Sequence, residues 1–231
     1  MIQLKQFFPE LNKLHQKYGD PDFSPIYGAG QTKNAKIFLL LMNPTAKNIS
    51  ALPSWNGIRA PWIGTKNIWK LLHATKLLSN KFFIKTQTIK LSDWTPSFVK
   101  NLYLDIAEHG AYLTNLAKCT QIDARPLKDS IFKDYLPQTF KEILAVKPKA
   151  LIPFGNQVSS LILKRPVKVS GYTETAHEVL KINDQNFNIY PTFYPVGQGM
   201  RNMGKAINRI SKILDEIKTT SVGDRGPFWP E

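Results

Sequence analysis

The chain has 231 residues, 42 % of them hydrophobic and 21 % charged, with 13 glycines and 16 prolines. That is the composition of one folded domain with a sizeable core, and it excludes a disordered, collagen-like or low-complexity chain. Lys and Arg number 31 against 17 Asp and Glu, a net charge of +14, which points to a polyanionic partner. Nucleic acid is the first expectation, an anionic membrane surface the second, and a basic surface without a partner the bland reading. One cysteine, Cys119, excludes an internal disulfide framework and any structural site built from several cysteines. A lone thiol suits a reducing compartment, so a cytosolic or nucleoid location is expected, or a nuclear one in a eukaryote.

Leu4, Phe7, Phe8, Leu11, Leu14 and His15 recur at helical spacing, and Pro9 interrupts them. Residues 2–18 therefore read as helical with a break near Phe8. Lys5, Glu10, Lys13 and Lys17 deny this segment the unbroken apolar core of a signal peptide. Residues 19–33 read as loop, and Ile37–Met42 as a short strand buried on both faces. That run, the longest apolar one, is far too short to cross a bilayer, so no membrane partner is expected. Residues 45–63 read as loop. Thr65 is placed to cap a helix to about Leu78, and Thr95-Pro96 opens another to about Glu108. Ala111–Ala117 reads as a strand and Asp129–Val146 as a helix interrupted near Pro137. Ala150–Phe154 is a strand and Asn156–Leu163 a helix. Val167–Ser170 and Phe187–Phe193 read as strands, and Met200–Ile217 as a closing helix. The expectation is one domain over residues 1–231, with 1–26 an N-terminal helical segment and loop. Residues 219–231, with Phe228-Trp229, read as a loosely held tail.

Strands alternating with helices predict an α/β fold: a three-layer αβα sandwich around a mainly parallel sheet of four or five strands. In such sheets ligands bind beyond the carboxyl ends of the strands. Three places qualify: Asn43-Pro44, Asn115 to Lys118, and Tyr194 to Arg201. Some chemistries are absent. His15, His73, His109 and His177 are scattered, and neither a zinc-deaminase cysteine pair nor a serine nucleophile elbow occurs. Neither a metal nor another cofactor is expected. Gly199 to Lys205 matches the spacing of a nucleotide-binding loop, but Ala206 stands where Ser or Thr would meet magnesium.

Taken in order, five segments resemble the uracil-DNA glycosylase superfamily, from about Tyr27 to Ile213. Tyr27-Gly28-Ala29-Gly30 is similar to the G-E-G start of its iron–sulfur branch. Met42-Asn43-Pro44 is similar to the G-M-N-P or G-I-N-P first motif of two other branches. Pro61-Trp62-Ile63-Gly64 resembles a P-F-x-G segment whose ring stacks on the extruded base. Thr114-Asn115-Leu116-Ala117-Lys118-Cys119 resembles T-N-x-x-K-C, whose Asn reads the uracil edge. Tyr194 to Arg201 takes the place of the H-P-S…R second motif. Leu41 and Thr45 replace glycines, Tyr194 replaces a histidine, and Cys119 alone remains of an iron–sulfur ligand set, so that cluster is expected to be absent.

The resemblance implies a monofunctional glycosylase of base-excision repair, removing uracil or another deaminated base flipped out of single- or double-stranded DNA. It implies Asn43 and Tyr194 as catalytic residues. Met42, Pro44, Trp62 and Asn115 would bind substrate. Lys118, Gly197, Gln198, Gly199, Met200 and Arg201 would bind DNA, with Met200 or Arg201 wedging into the vacated stack. A monomer is expected. The same fold kept as a non-catalytic DNA-binding protein is the alternative. Blandly, Asn43-Pro44 is a turn after a strand, Trp62 and Tyr194 are core rings, and Lys118 belongs to a solvated face.

Overall fold

A computed structural model describes residues 4–125 and 127–223. A 3-10 turn at Leu4–Phe7 leads into α1 (Phe8–Tyr18), whose first turn holds Pro9; the break falls where the proline demands it. A two-residue strand β1 (Ala29–Gly30) precedes β2 (Ile37–Leu41), which is buried along its whole length. After a long loop come α2 (Asn67–Ala74), α3 (Asn80–Thr88) and α4 (Pro96–Glu108). The Thr95 hydroxyl accepts from Phe98 N at 3.2 Å, as a capping threonine should. Then follow β3 (Ala111–Asn115), α5 (Asp129–Val146), β4 (Ala150–Pro153), α6 (Gly155–Leu163), β5 (Glu178–Ile182), β6 (Gln185–Ile189) and α7 (Met203–Gly223).

The six strands form one sheet in the order β1-β3-β2-β4-β6-β5. β3, β2, β4 and β6 run parallel, and β1 and β5 pair antiparallel at the two edges. Alternation of side chains along the strands builds two cores. Ile37, Leu39, Leu41, Leu113, Ile152 and Phe154 pack against α2, α4 and α7. Phe38, Leu40, Tyr112, Leu151 and Ile189 pack against α1, α5 and α6. Helices thus cover both faces, which is why β2 and β4 are apolar at every position.

Several expectations are corrected. The sheet has six strands rather than four or five, because a two-residue edge strand and a half-exposed edge strand give no clear periodicity. Val167–Ser170 is not a strand; Val169–Gly171 is a 3-10 turn. The helix after Trp62 ends at Ala74, and Lys76 adopts a left-handed φ of 59° before α3 begins. Thr65 does not cap it: its hydroxyl donates to Trp62 O at 2.7 Å. α5 runs through Pro137 without ending there. A 3-10 segment at Gly197–Asn202 precedes α7, and α7 continues to Gly223, so 219–223 is helix rather than tail. Phe228 and Trp229 lie outside the described residues. No helix among the described residues is long and apolar enough to cross a membrane.

Candidate active site

The register of β2 and β3 sets the first half of the site. Leu41 pairs with Asn115 at the carboxyl ends of these strands. The chains then stay together: Leu116 N donates to Leu41 O at 2.7 Å, Ala117 N to Met42 O at 3.0 Å, and Gln121 N to Pro44 O at 3.1 Å. So Asn43 and Asn115, 72 positions apart (115 − 43), leave neighbouring strands at the same edge. Alternation puts Asn115 on the face of Leu113, the side of α2, α4 and α7.

The second half comes from the other side of β2. Thr192 bridges Phe154, just past the end of β4, and Gly155 N donates to Thr192 O at 2.7 Å. This carries Tyr194 to the same carboxyl edge. Gly155 has a φ of 82°, and a Cβ built there would sit 3.5 Å from the Tyr194 Cβ. Gly199 touches the same residue more closely: a Cβ there would meet Tyr194 O at 2.1 Å, so only glycine lets the turn close. Tyr194, Trp62 and Phe193 all pack on the core layer of Leu41 and Phe154.

Trp62 is held in an unusual way. Its φ is 68°, a left-handed conformation costly for a bulky side chain. Thr65 clamps it, the backbone N–H donating to Trp62 O at 3.1 Å and the hydroxyl to the same oxygen at 2.7 Å. Tyr103 donates its hydroxyl to Pro61 O from α4. The indole Nε1 is buried with no hydrogen-bond partner among the described residues. A costly backbone conformation and an unsatisfied buried donor thus fall on one residue.

The polar atoms at the edge are uncharged. Asn43 Nδ2 donates to Pro44 O at 3.2 Å, and Oδ1 accepts from no other described residue. Asn115 is 2 % exposed, and its side-chain amide is bonded to no other described residue. The Tyr194 hydroxyl likewise has no protein partner among the described residues, and burial pushes its pKa up to about 12. It is therefore a neutral donor at physiological pH. Among the described residues no three His, Cys, Asp or Glu side chains gather as metal ligands would. Burial raises the Cys119 thiol above its ordinary value, so it is a poor ligand or nucleophile.

Three sequence expectations change. Lys118 is not a DNA contact: it is 1 % exposed, and Nζ donates to Glu142 Oε2 at 2.8 Å, to Thr114 Oγ1 at 2.6 Å and to Asn115 O. Met42 packs its side chain into the opposite core, so only its backbone lies with the others. Gly199 serves the Tyr194 backbone. In the Gly199–Lys205 pattern, the stretch up to Asn202 is wound into a 3-10 segment rather than an open loop, and the Lys205 ammonium stands 5.1 Å from the Phe193 ring. Pro44 is buried beneath Asn43. Gly197 is open, with φ 58°, while Met200 and Arg201 are exposed on the same turn as Gln198. Sequence reasoning missed Gly155, and it missed Glu142, whose carboxylate also accepts from Tyr112 at 2.5 Å and Thr114 at 3.0 Å. Gly155 was readable from the sharp Phe154-Gly155 corner after a strand; Glu142 carried no signal.

Two neutral amides and a phenol thus stand at the carboxyl edge of a parallel sheet, and a strained tryptophan packs on the same core layer as the phenol. Residues 27–218 match the Uracil DNA glycosylase superfamily. The match covers most of the chain, and the protein belongs to that superfamily. No match is found among curated proteins.

Proposed function

We propose that the protein is a monofunctional DNA glycosylase that hydrolyses the bond between deoxyribose C1′ and uracil, or another deaminated base, flipped out of DNA. The reading is carried by one observation: two side-chain amides and a phenol at one strand edge, each with polar atoms left unbonded among the described residues. Scission of the C1′–N bond leaves positive charge on the sugar and negative charge on the base. Donors fixed in advance where the anion forms lower the barrier. Asn115 offers an N–H and a C=O to the O4/N3 edge of uracil, and the Tyr194 hydroxyl donates to O2. Trp62 stacks on the base, a contact worth about 1–3 kcal/mol.

Water is the nucleophile. Asn43 Oδ1 accepts one of its O–H bonds and aims its oxygen at C1′; the C1′–O bond forms, the C1′–N pair leaves with the base, and the surplus proton passes to solvent. Lys118 is committed to Glu142, so it is not available as a Schiff-base amine. Met200 and Arg201, at the exposed turn before α7, fill the gap left in the duplex. The test is base release from single- and double-stranded oligonucleotides across a panel of lesions, with Asn43→Ala alongside. Release by the wild type and a fall of tenfold or more in Asn43→Ala is expected. DNA binding without release from any lesion would replace this reading with a non-catalytic DNA-binding protein.

A further inference from the structure

Residues 23–92 contain ten Lys and Arg and not one Asp or Glu. This stretch carries +10 of the net +14, leaving +4 (14 − 10) for the rest of the chain. The excess is concentrated on the α2–α3 hairpin. Lys66, Lys70, Lys76, Lys81, Lys85 and Lys90 are all exposed. Among the described residues the ion pairs all join groups outside this stretch. Lys81 and Lys85 lie one helical turn apart on one face of α3. Asp93 is exposed where the hairpin ends, and Asp105 is buried and accepts from Ser79 N at 2.9 Å.

An apolar groove opens at the base of this hairpin. Ile49, Leu52, Trp55 and Leu91 line about 300 Å³, with Ser54 and Ser92 at its rim. Leu91 is 59 % exposed and Leu52 41 %. Trp55 is fixed in place by its indole N–H, which donates to Ile58 O at 3.0 Å. The floor is Gly64: a Cβ there would meet Ile49 at 2.9 Å and Leu91 at 3.1 Å. Gly64 lies two residues beyond Trp62, and Gln87 donates to Lys66 O at 3.1 Å, tying the end of α3 to the start of α2. Lys90 directly precedes Leu91 of the groove, and Lys66 follows by two positions the Gly64 that lies against Ile49 and Leu91, so both lysines leave the chain next to the groove and the Trp62 segment.

We propose that this groove and hairpin bind the unpaired DNA strand next to the target nucleotide: a base lies against Trp55 and Leu91, and its phosphates follow Lys66, Lys90 and the lysine face of α3. An aromatic-lined apolar slot beside acid-free positive charge matches a single strand, whose bases are available to stack. In a duplex the neighbouring bases are paired and the slot has no use. This deepens the glycosylase reading and rests on it for the place of the target base, but its test does not depend on chemistry.

The experiment measures binding of an undamaged single-stranded oligonucleotide and its duplex across a salt series. The wild type, Lys81→Gln/Lys85→Gln/Lys90→Gln and Leu91→Ser are compared; all four positions are exposed, so the fold is retained, and Trp55→Ala is added if circular dichroism shows it folded. The wild type is expected to prefer the single strand. The triple variant should lose about 0.7 from the salt slope for each lysine that meets a phosphate. Leu91→Ser and Trp55→Ala should weaken single-strand binding severalfold or more and leave duplex binding unchanged. Unchanged single-strand affinity and slope in these variants, or equal loss on single strand and duplex, would overturn the proposal. So would variant-sensitive binding of acidic peptides or anionic vesicles in place of the oligonucleotide. If single-strand binding behaves as expected and no lesion is excised, the glycosylase reading fails and this surface stands.

Discussion

Lys118 Nζ lies 2.8 Å from Glu142 Oε2, and the two side chains are 1 % and 7 % exposed. The pair joins the exit of β3 to α5, and Lys118 also holds the carbonyl of Asn115. Burial lowers the pKa of the ammonium, and the Glu142 carboxylate pulls it back up. Removing one member leaves the other as an uncompensated buried group, which costs about 3–5 kcal/mol. Glu142→Leu or Lys118→Met is therefore expected to lower the urea midpoint sharply with little change in slope. Lys118→Met with Glu142→Leu should recover part of the loss, a non-additivity a double-mutant cycle reads directly. Additive losses would show that the two groups do not act as a pair.

Tyr194→Phe removes one donor from the expected position of the departing base and keeps the ring packed on Gly155. Loss of a donor of this kind lowers turnover by roughly 10²–10³. Because burial holds the hydroxyl near 12, it stays protonated well above the ordinary tyrosine value of about 10. Its contribution to stability is complete below about pH 10 and is lost as pH rises through about 12. Base release should thus show no alkaline fall from this residue up to about pH 11. A fall centred near 10 that disappears in Tyr194→Phe would show the hydroxyl to be solvated instead.

Much of this was legible in the chain because burial on both faces leaves a plain mark. β2 and β4 are short runs of apolar residues, and their carboxyl ends locate Asn43 and the Gly155 corner. The residues that escaped notice did so for definite reasons. α3 presents Lys81, Ile84 and Lys85 to solvent, so its core stripe is thin. β5 is a half-exposed edge strand with Val179 57 % exposed, which blurs the alternation. Lys118 looks like one more surface lysine in a basic chain, and its partner is 24 positions away on another element. The left-handed backbone at Trp62 is imposed by Thr65 and by tertiary packing, and nothing in Pro61-Trp62-Ile63 announces it.

Asn43 gives a sharper test of mechanism than its removal does. With Nδ2 on Pro44 O, Oδ1 is the atom left to hold water among the described residues. A carboxylate of the same shape would accept the water proton and favour the cationic sugar electrostatically. General-base assistance of that kind contributes typically 10²–10⁴-fold. Asn43→Asp is expected to raise single-turnover base release by tenfold or more, at the cost of the bond to Pro44 O. A slower Asn43→Asp enzyme would mean that the Asn43 amide N–H, rather than its oxygen, is what the reaction uses.

His15 is expected to contribute to the acid sensitivity of the fold. It is 8 % exposed; its Nε2–H donates to Phe23 O at 2.8 Å, while Nδ1 is buried without a partner. Burial lowers its pKa, against smaller upward pulls from the Phe23 carbonyl and Asp20. The unfolded chain therefore takes up the proton first. The stability from neutral His15 is present above about pH 6.5 and is lost as pH falls through the lower folded value. What loosens is the join between α1 and the loop after it, through which Tyr27 N reaches Arg59 O at 3.0 Å and so supports the segment before Trp62. His15→Gln keeps a donor for Phe23 O and removes the titration. The wild-type urea midpoint should drop more between pH 7.5 and 5.5 than that of the variant. Equal drops would assign the acid sensitivity to the carboxylates, which both proteins share.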